Sequence, residues 1–399
     1  MAERPILGYL VPQFPGQTHD FFWREVREIE GRGWDVALIS TRRPPAGLIV
    51  HDWSGGAMAR TTYLGRPAIR DLGALPRLPW REILAERNLG WLRDVGVAGP
   101  AASALIRVCR ARGIGHVHVH SCGRAALIAA LARRMGGPRY SLTLHGPLPD
   151  YGPGQAFKWR DAAFATVITE KLMASVRDTL AGSLPERLIV QPMGVDTEAF
   201  RPGRDYTPVG PGETLRLFTC GRLNPVKGHN DLIEAVGMLV AAGRDVTLSI
   251  AGEDDAGGGG YRRVLETSIA DRDLGDRVSL LGAMDVDQVR ARLQDAHIFA
   301  LASLHEALGV ALMEAMSSGV PTIGTAAGGV AELIADGRDG VLVPPGDAGA
   351  LADAIGALAD DPDRAIRLGR AGRARVVEGF GAGRGAQTLI DAVGHSGAP

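Results

Sequence analysis

Ile298-Phe299-Ala300-Leu301-Ala302-Ser303-Leu304-His305-Glu306-Ala307-Leu308-Gly309-Val310-Ala311-Leu312-Met313-Glu314 reads as one unit of a layered α/β protein. An apolar run of strand length leads into a polar turn, and helical spacing begins at Val310. Two glutamates, Glu306 and Glu314, stand at that strand-to-helix junction. Upstream, the apolar run 215–220 leads into Gly221-Arg222-Leu223-Asn224-Pro225-Val226-Lys227-Gly228, and a helical pattern opens at His229. Side-chain cations beside the amides of a helix N-terminus suit a diphosphate, which places Arg222 and Lys227 as its partners. A carboxylate at a strand end must be satisfied by hydroxyls, amides or cations, and a sugar supplies hydroxyls. Gly309 lacks a Cβ and permits close approach of a ligand to the Leu308, Gly309 and Val310 amides. The set points to an anionic, hydroxyl-rich ligand such as a nucleotide-sugar.

The same alternation runs along the whole chain. Strand-like runs fall at 5–11, 34–40, 116–120, 140–144, 165–169, 187–190, 215–220, 246–251, 278–281, 298–302, 321–324 and 341–343. Helical periodicity covers 20–30, 101–112, 123–135, 171–180, 229–241, 286–295, 310–317 and the stretch from 362 to 379. Alternating short strands and longer helices predict parallel sheets with helical crossovers. Residues 197–213 carry Pro202, Pro208 and Pro211 among glycines, which sustains neither a helix nor a central strand and reads as a linker. The expected division is 1–196, linker 197–213, 214–375 and a tail 376–399. Two doubly wound domains so joined would face each other across a cleft lined by strand C-termini.

With 399 residues the chain is long for a single core. A formal net charge of −1 gives no basic field to recruit nucleic acid. The run 6–11 is too short for a signal-peptide core and ends at Pro12, and no stretch reaches the length needed to span a bilayer. Cys109, Cys122 and Cys220 are scattered and lack metal-ligand spacing. They read as reduced thiols, and the expected location is cytoplasmic. The glycine run 257–260 lacks the lysine and Ser/Thr of a P-loop and reads as a flexible connection.

The order and spacing of these motifs resemble the retaining, metal-independent glycosyltransferases of the group 1 (family 4) type, with the two-domain GT-B fold. Ala315-Met316-Ser317-Ser318-Gly319-Val320-Pro321-Thr322, Gly328-Gly329-Val330-Ala331-Glu332-Leu333-Ile334 and Asp336-Gly337-Arg338-Asp339-Gly340-Val341-Leu342-Val343 continue the likeness. It is nearest to enzymes of exopolysaccharide and colanic-acid type. The resemblance implies two Rossmann-like domains and a tail that crosses back to the first. It puts Glu306 on the donor sugar, the Leu308, Gly309 and Val310 amides on phosphate, and Glu314 on ribose. Gly252 and Glu253 fall at the edge of the base pocket. Arg222 and Lys227 neutralise the departing diphosphate, a task that other transferases give to a metal, so no metal or cofactor is implied. The donor is a UDP- or GDP-sugar and the acceptor a glycan, lipid-linked glycan or polysaccharide precursor. Rival readings are a nucleotide-sugar epimerase or other GT-B enzyme, and a non-catalytic GT-B partner protein.

In the first half, Val11-Pro12-Gln13-Phe14-Pro15-Gly16 links the first strand to a helix, and Gly16 is the donor-side candidate. The following Gln-Thr-His-Asp-Phe only approximates the Ser-Glu-Thr-Phe of a polysaccharide-building subgroup. His145 ends a strand beside Gly146, and relatives carry a histidine there that contacts donor sugar or acceptor. His116, His118 and His120 share one strand face. With no nearby carboxylate or cysteine they make a weak metal set and read as structural. Residues 70–93 interleave Trp80, Trp91 and several leucines with Arg77, Arg81, Arg87 and Arg93, a composition compatible with peripheral membrane association at the inner face. Pro76 and Pro79 argue against a single long helix, and the other reading of this stretch is a helix pair packed on the domain with its arginines solvated.

Overall fold

The computed structural model describes residues 4–16, 19–44, 51–65, 71, 73, 75–85, 89–254 and 260–395. The chain divides into two compact units. The first comprises residues 1–44, 53–192 and 383–399, and the second residues 45–52 and 193–382.

The first unit holds a seven-stranded sheet in which every pairing is parallel. Its strands are β1 (Ile6–Gln13), β2 (Asp35–Arg42), β3 (Thr62–Tyr63), β4 (His116–Val119), β5 (Arg139–Leu144), β6 (Ala165–Val167) and β7 (Leu188–Val190). The spatial order β3-β2-β1-β4-β5-β6-β7 reverses direction between β1 and β4. Strands buried on both faces need continuous apolar runs, and β1 is buried from Leu7 to Val11. Helices cover the faces. The helix Arg124–Arg134 is buried from Ala125 to Ala132 because its small side chains let it lie close on the sheet.

The helix Leu89–Arg112 starts well before the predicted 101–112, running through Pro100. Proline removes one helical donor and normally ends a sequence-based helix there, but the buried face around Ala98, Ala102 and Leu105 holds the segment together. Trp91, on this helix, is 1% exposed and donates its indole N–H to the Ile83 carbonyl at 3.1 Å. Before it lie the short helices Leu75–Arg77 and Trp80–Ala85.

The second unit repeats the plan with six parallel strands. These are β8 (Leu215–Cys220), β9 (Val246–Ala251), β10 (Val278–Gly282), β11 (Ile298–Leu301), β12 (Thr322–Thr325) and β13 (Val341–Val343). Their order, β10-β9-β8-β11-β12-β13, reverses between β8 and β11. Residues 197–213 contain no helix or strand. The helix Pro362–Gly379 follows an Asp361 cap and belongs to the second unit, whereas Ala382–His395 lies almost wholly in the first. Among the described residues, no helix is long and apolar enough to cross a membrane. β3 escaped the sequence reading because two residues at a sheet edge carry no periodicity.

Candidate active site

Open α/β sheets bind ligands beyond the strand C-termini where strand order reverses. In the second unit that point lies between β8 and β11, and the loops leaving these strands are stitched together. The Leu304 amide donates to the Val226 carbonyl at 2.8 Å. Gly228 adopts φ 63°, and a methyl there would overlap the Ala302 carbonyl, so only glycine lets the two loops close. This closure carries Lys227 to Glu306: Nζ donates to Oε2 at 2.6 Å, with the side chains 20% and 12% exposed. Ser303 Oγ donates to the same oxygen at 3.2 Å.

A third loop supports Glu306 from behind. The Gly329 amide donates to the Glu306 carbonyl at 3.1 Å, and Gly328, at φ 62°, has no room for a Cβ against that carbonyl. Thr325 Oγ1 donates to the Ser303 carbonyl. The helix Val310–Ser317 starts from Gly309 at φ 93°. First-turn amides of a helix have no acceptor within it, so Val310, Ala311 and Leu312 present N–H groups at the mouth of this loop.

Glu314 lies on the same helix, half-buried. Its charge reaches Cys220 at the end of β8. The Cys220 thiol is pushed up to about 12, first by burial and then by Glu314, with Lys227 opposing. Glu314 and Lys227 thus both act electrostatically on the end of β8. Arg222 is half-buried in the β8 loop, whose carbonyl accepts from His229 Nε2 at 3.2 Å. His229 is pushed down to about 4, chiefly by burial. It stays neutral and anchors this loop, a role that its place at the helix start alone does not reveal.

Gly252 and Glu253 are differently engaged. Gly252, at φ 142°, packs against the Gly221 carbonyl. The Glu253 carboxylate lies 3.1 and 3.2 Å from Arg262 Nε, and its carbonyl accepts from the Leu223 amide at 3.1 Å. Burial raises the Glu253 pKa, but the Arg262 bond, the Asp254 amide and the Arg262 charge together outweigh it and the net shift is downward. Glu253 therefore braces the base of the β8 loop through its backbone. Residues 255–259, which include most of the glycine run, lie outside the described residues.

In the first unit the reversal falls between β1 and β4. Gly16, after β1, is buried beside the His19 ring, and its carbonyl accepts from the His19 amide at 3.1 Å. Gln17 and Thr18 lie outside the described residues. His145 follows β5, and its Nε2 is 3.2 Å from His120 Nδ1. Phe21 and Phe22 flank His145 at ring separations of 5.9 and 5.5 Å. His116 and His118 share Ser141 Oγ at 2.8 and 2.7 Å, and His118 Nε2 reaches Thr143 Oγ1 at 2.7 Å. These two are structural, as the sequence implied.

His120 corrects the expectation that no carboxylate lies near the histidines. Its Nε2 is 3.0 Å from Glu25 Oε2, across 95 positions of sequence that hid the neighbour. Glu25 also accepts from the Tyr9 hydroxyl at 2.7 Å. Among the described residues, no group of three or more His, Cys, Asp or Glu converges as metal ligands.

The sequence matches two family descriptions, Glycosyl transferases group 1 over residues 209–375 and Glycosyl transferase 4-like domain over residues 19–200. It is 33% identical over 382 residues to WcaL of Salmonella typhimurium, named for a glycosyltransferase role in colanic acid biosynthesis, covering 87% of this chain and 88% of that protein. The chain belongs to the group 1 glycosyltransferases. It is also 29% identical over 290 residues to a GDP-mannose-dependent alpha-(1-6)-phosphatidylinositol monomannoside mannosyltransferase of Mycolicibacterium smegmatis, covering 68% of this chain and 74% of that one. Anabaena HepE, solved with UDP and glucose, matches at a TM-score of 0.75 and 16% identity, over 98% of this chain and all of that one. The two Rossmann-like units are thus those of GT-B glycosyltransferases, and this glycosyltransferase is an enzyme of sugar transfer.

Proposed function

We propose that this glycosyltransferase moves a sugar from a nucleotide diphosphate to a hydroxyl acceptor, with retention and without a metal. The observation that carries the reading is the Lys227–Glu306 pair beside the open N-terminus of the helix Val310–Ser317. Among the described residues, the two side chains that donate to the Glu306 carboxylate both go to Oε2, and Oε1 is the proposed acceptor for a hydroxyl of the donor sugar. The Leu308, Gly309 and Val310 amides take phosphate oxygens, and Glu314 takes ribose hydroxyls. Gly252 and Glu253 shape the base pocket, the latter through its main chain.

As the bond from the anomeric carbon to the phosphate oxygen breaks, its electron pair goes to the diphosphate. Lys227 and Arg222 stabilise that growing charge, an electrostatic contribution directed at the transition state. The acceptor oxygen bonds the anomeric carbon on the face that the diphosphate leaves, and its proton passes to the departing phosphate oxygen. Glu306 orients the sugar and stabilises oxocarbenium-like charge. The first unit contributes His145 as a hydrogen-bonding group to sugar or acceptor, with Gly16 in the loop after β1.

UDP- and GDP-sugars are the proposed donors, since one relative is named for GDP-mannose and one structural neighbour was solved with UDP and glucose. A glycan or lipid-linked acceptor fits the WcaL likeness. Exposed Trp80, Leu84 and Leu89 beside Arg81 and Arg93 support peripheral docking at an anionic bilayer, which vesicle co-sedimentation would test.

The deciding experiment is a thermal-shift panel with UDP, GDP, ADP and TDP and their sugar conjugates, repeated with Lys227→Ala. A shift selective for one nucleotide and lost in the variant is expected. Equal shifts in both proteins would remove Lys227 from the phosphate site. Transfer assayed in EDTA should match that in its absence, and loss restored by a divalent ion would overturn the cation-based mechanism.

A further inference from the structure

Glu25, His120 and His145 form a buried line that the reaction outlined above does not use. Tyr9 on β1 donates its hydroxyl to Glu25 Oε2 at 2.7 Å. His120, just past β4, brings Nε2 to 3.0 Å from the same oxygen. No hydrogen bond forms at this nitrogen in the structure, and Glu25 is the carboxylate that faces it. His120 Nδ1 then meets His145 Nε2 at 3.2 Å. The line is packed tightly: the Tyr9 ring lies 4.3 Å from His120, and Phe22 sits edge-on to both imidazoles at 4.8 and 5.5 Å.

We propose that Glu25 and His120 are positioning residues that fix the tautomer of His145, so that its ring offers a bare Nδ1 as an acceptor to a substrate hydroxyl. The inference rests on the reading of His145 as a group that contacts substrate. Its logic is a parity count along the line. The carboxylate oxygen accepts from the Tyr9 hydroxyl, and the proposal adds His120 Nε2–H, 3.0 Å away, as its second donor. A neutral imidazole carries one N–H, so His120 Nδ1 is bare and can only accept. His145 must then donate from Nε2, which leaves its Nδ1 bare in turn. Both rings are held neutral, pushed down to about 3 mainly by burial. A second-shell partner that sets which nitrogen of a histidine bears the proton also sets what that histidine can bind.

The test uses the full-length protein with 15N-labelled histidine. Long-range proton–nitrogen correlation reads each tautomer, and His145→Gln assigns the His145 signal by its loss. His145 should show a single tautomer protonated on Nε2. In Glu25→Ala it should become a mixture or shift to Nδ1–H, and Glu25→Gln takes its place if the alanine form does not fold. Transfer by the Glu25 variant should lose about 10- to 100-fold in kcat while the donor KM stays within about threefold. An Nδ1–H tautomer in the unmodified protein, or a tautomer unmoved in the Glu25 variant, overturns the proposal whatever the activity. Full transfer by His145→Gln would instead sink the substrate role of His145 and leave the tautomer result standing, so the two failures are distinguishable.

Discussion

Lys227 and Glu306 are 79 residues apart, yet their side chains meet at 2.6 Å in a half-covered loop. Glu306→Gln keeps the shape and one acceptor but removes the charge that Lys227 balances. Transfer should fall by at least about 100-fold, the scale expected when charge stabilisation of a transition state is lost. Initial rates and a near-UV spectrum on the same sample check this, and a folded variant within threefold of the parent would make the pair merely structural. Gly328 is the second residue-scale test. At φ 62° and with no space beside the Glu306 carbonyl, Gly328→Ala should cost about 1–3 kcal/mol from backbone strain alone. Urea unfolding would read the loss, and transfer should fall further than stability does because Glu306 moves. The sequence showed Gly328-Gly329 only as part of a resemblance. Its physical purpose, cradling a glutamate at the end of the neighbouring strand, is visible only when the loops are placed side by side.

At the scale of elements, strands were legible because parallel strands buried on both faces must be continuously apolar. The helix Pro362–Gly379 was legible from its proline start and amphipathic spacing. Leu89–Arg112 was read short because local propensity at Pro100 was outweighed by packing. That packing makes a prediction: Trp91→Ala removes a buried indole and its bond to Ile83 and should cost about 3–5 kcal/mol. Trp80, 39% exposed on the neighbouring short helix, should cost less, about 1 kcal/mol, when replaced by alanine. Thermal melts of the two variants compare them directly, and equal losses would contradict the burial contrast between two tryptophans that look alike in the sequence.

Across the whole molecule the two units differ in what acid does to them. In the first, burial pushes His116 down to about 4 and His120 and His145 to about 3, and His118 is also lowered. In the second, His229 is held near 4 and His297 is lowered, again chiefly by burial. A histidine whose folded pKa is depressed stays neutral while the unfolded chain, titrating near ~6.5, takes up a proton. The stability it contributes is therefore complete above ~6.5 and is lost as pH falls toward 4. Glu25, raised by burial, works the other way in the first unit and offsets part of one histidine. With four such histidines against two, the first unit should lose amide protection sooner between pH 6.5 and 4.5. Hydrogen exchange on β4 and β5 against β8 and β11 would show it, and simultaneous loss would sink the prediction.

The class of the protein is written in local pattern: apolar periodicity dictates parallel strands and helical crossovers, and the cation and carboxylate motifs at strand ends mark the proposed second-unit site. These are local signals, read within a dozen residues, and local signals survive without a fold. Which distant groups share an atom is set by the folded chain alone. Glu25 joins His120 and His145, Ser303 and Lys227 converge on one oxygen of Glu306, and Glu253 turns toward Arg262 rather than outward. Such contacts depend on strand order, loop closure at glycines and the burial that neutralises a histidine, and none of these leaves a trace in the spacing of residues along the chain.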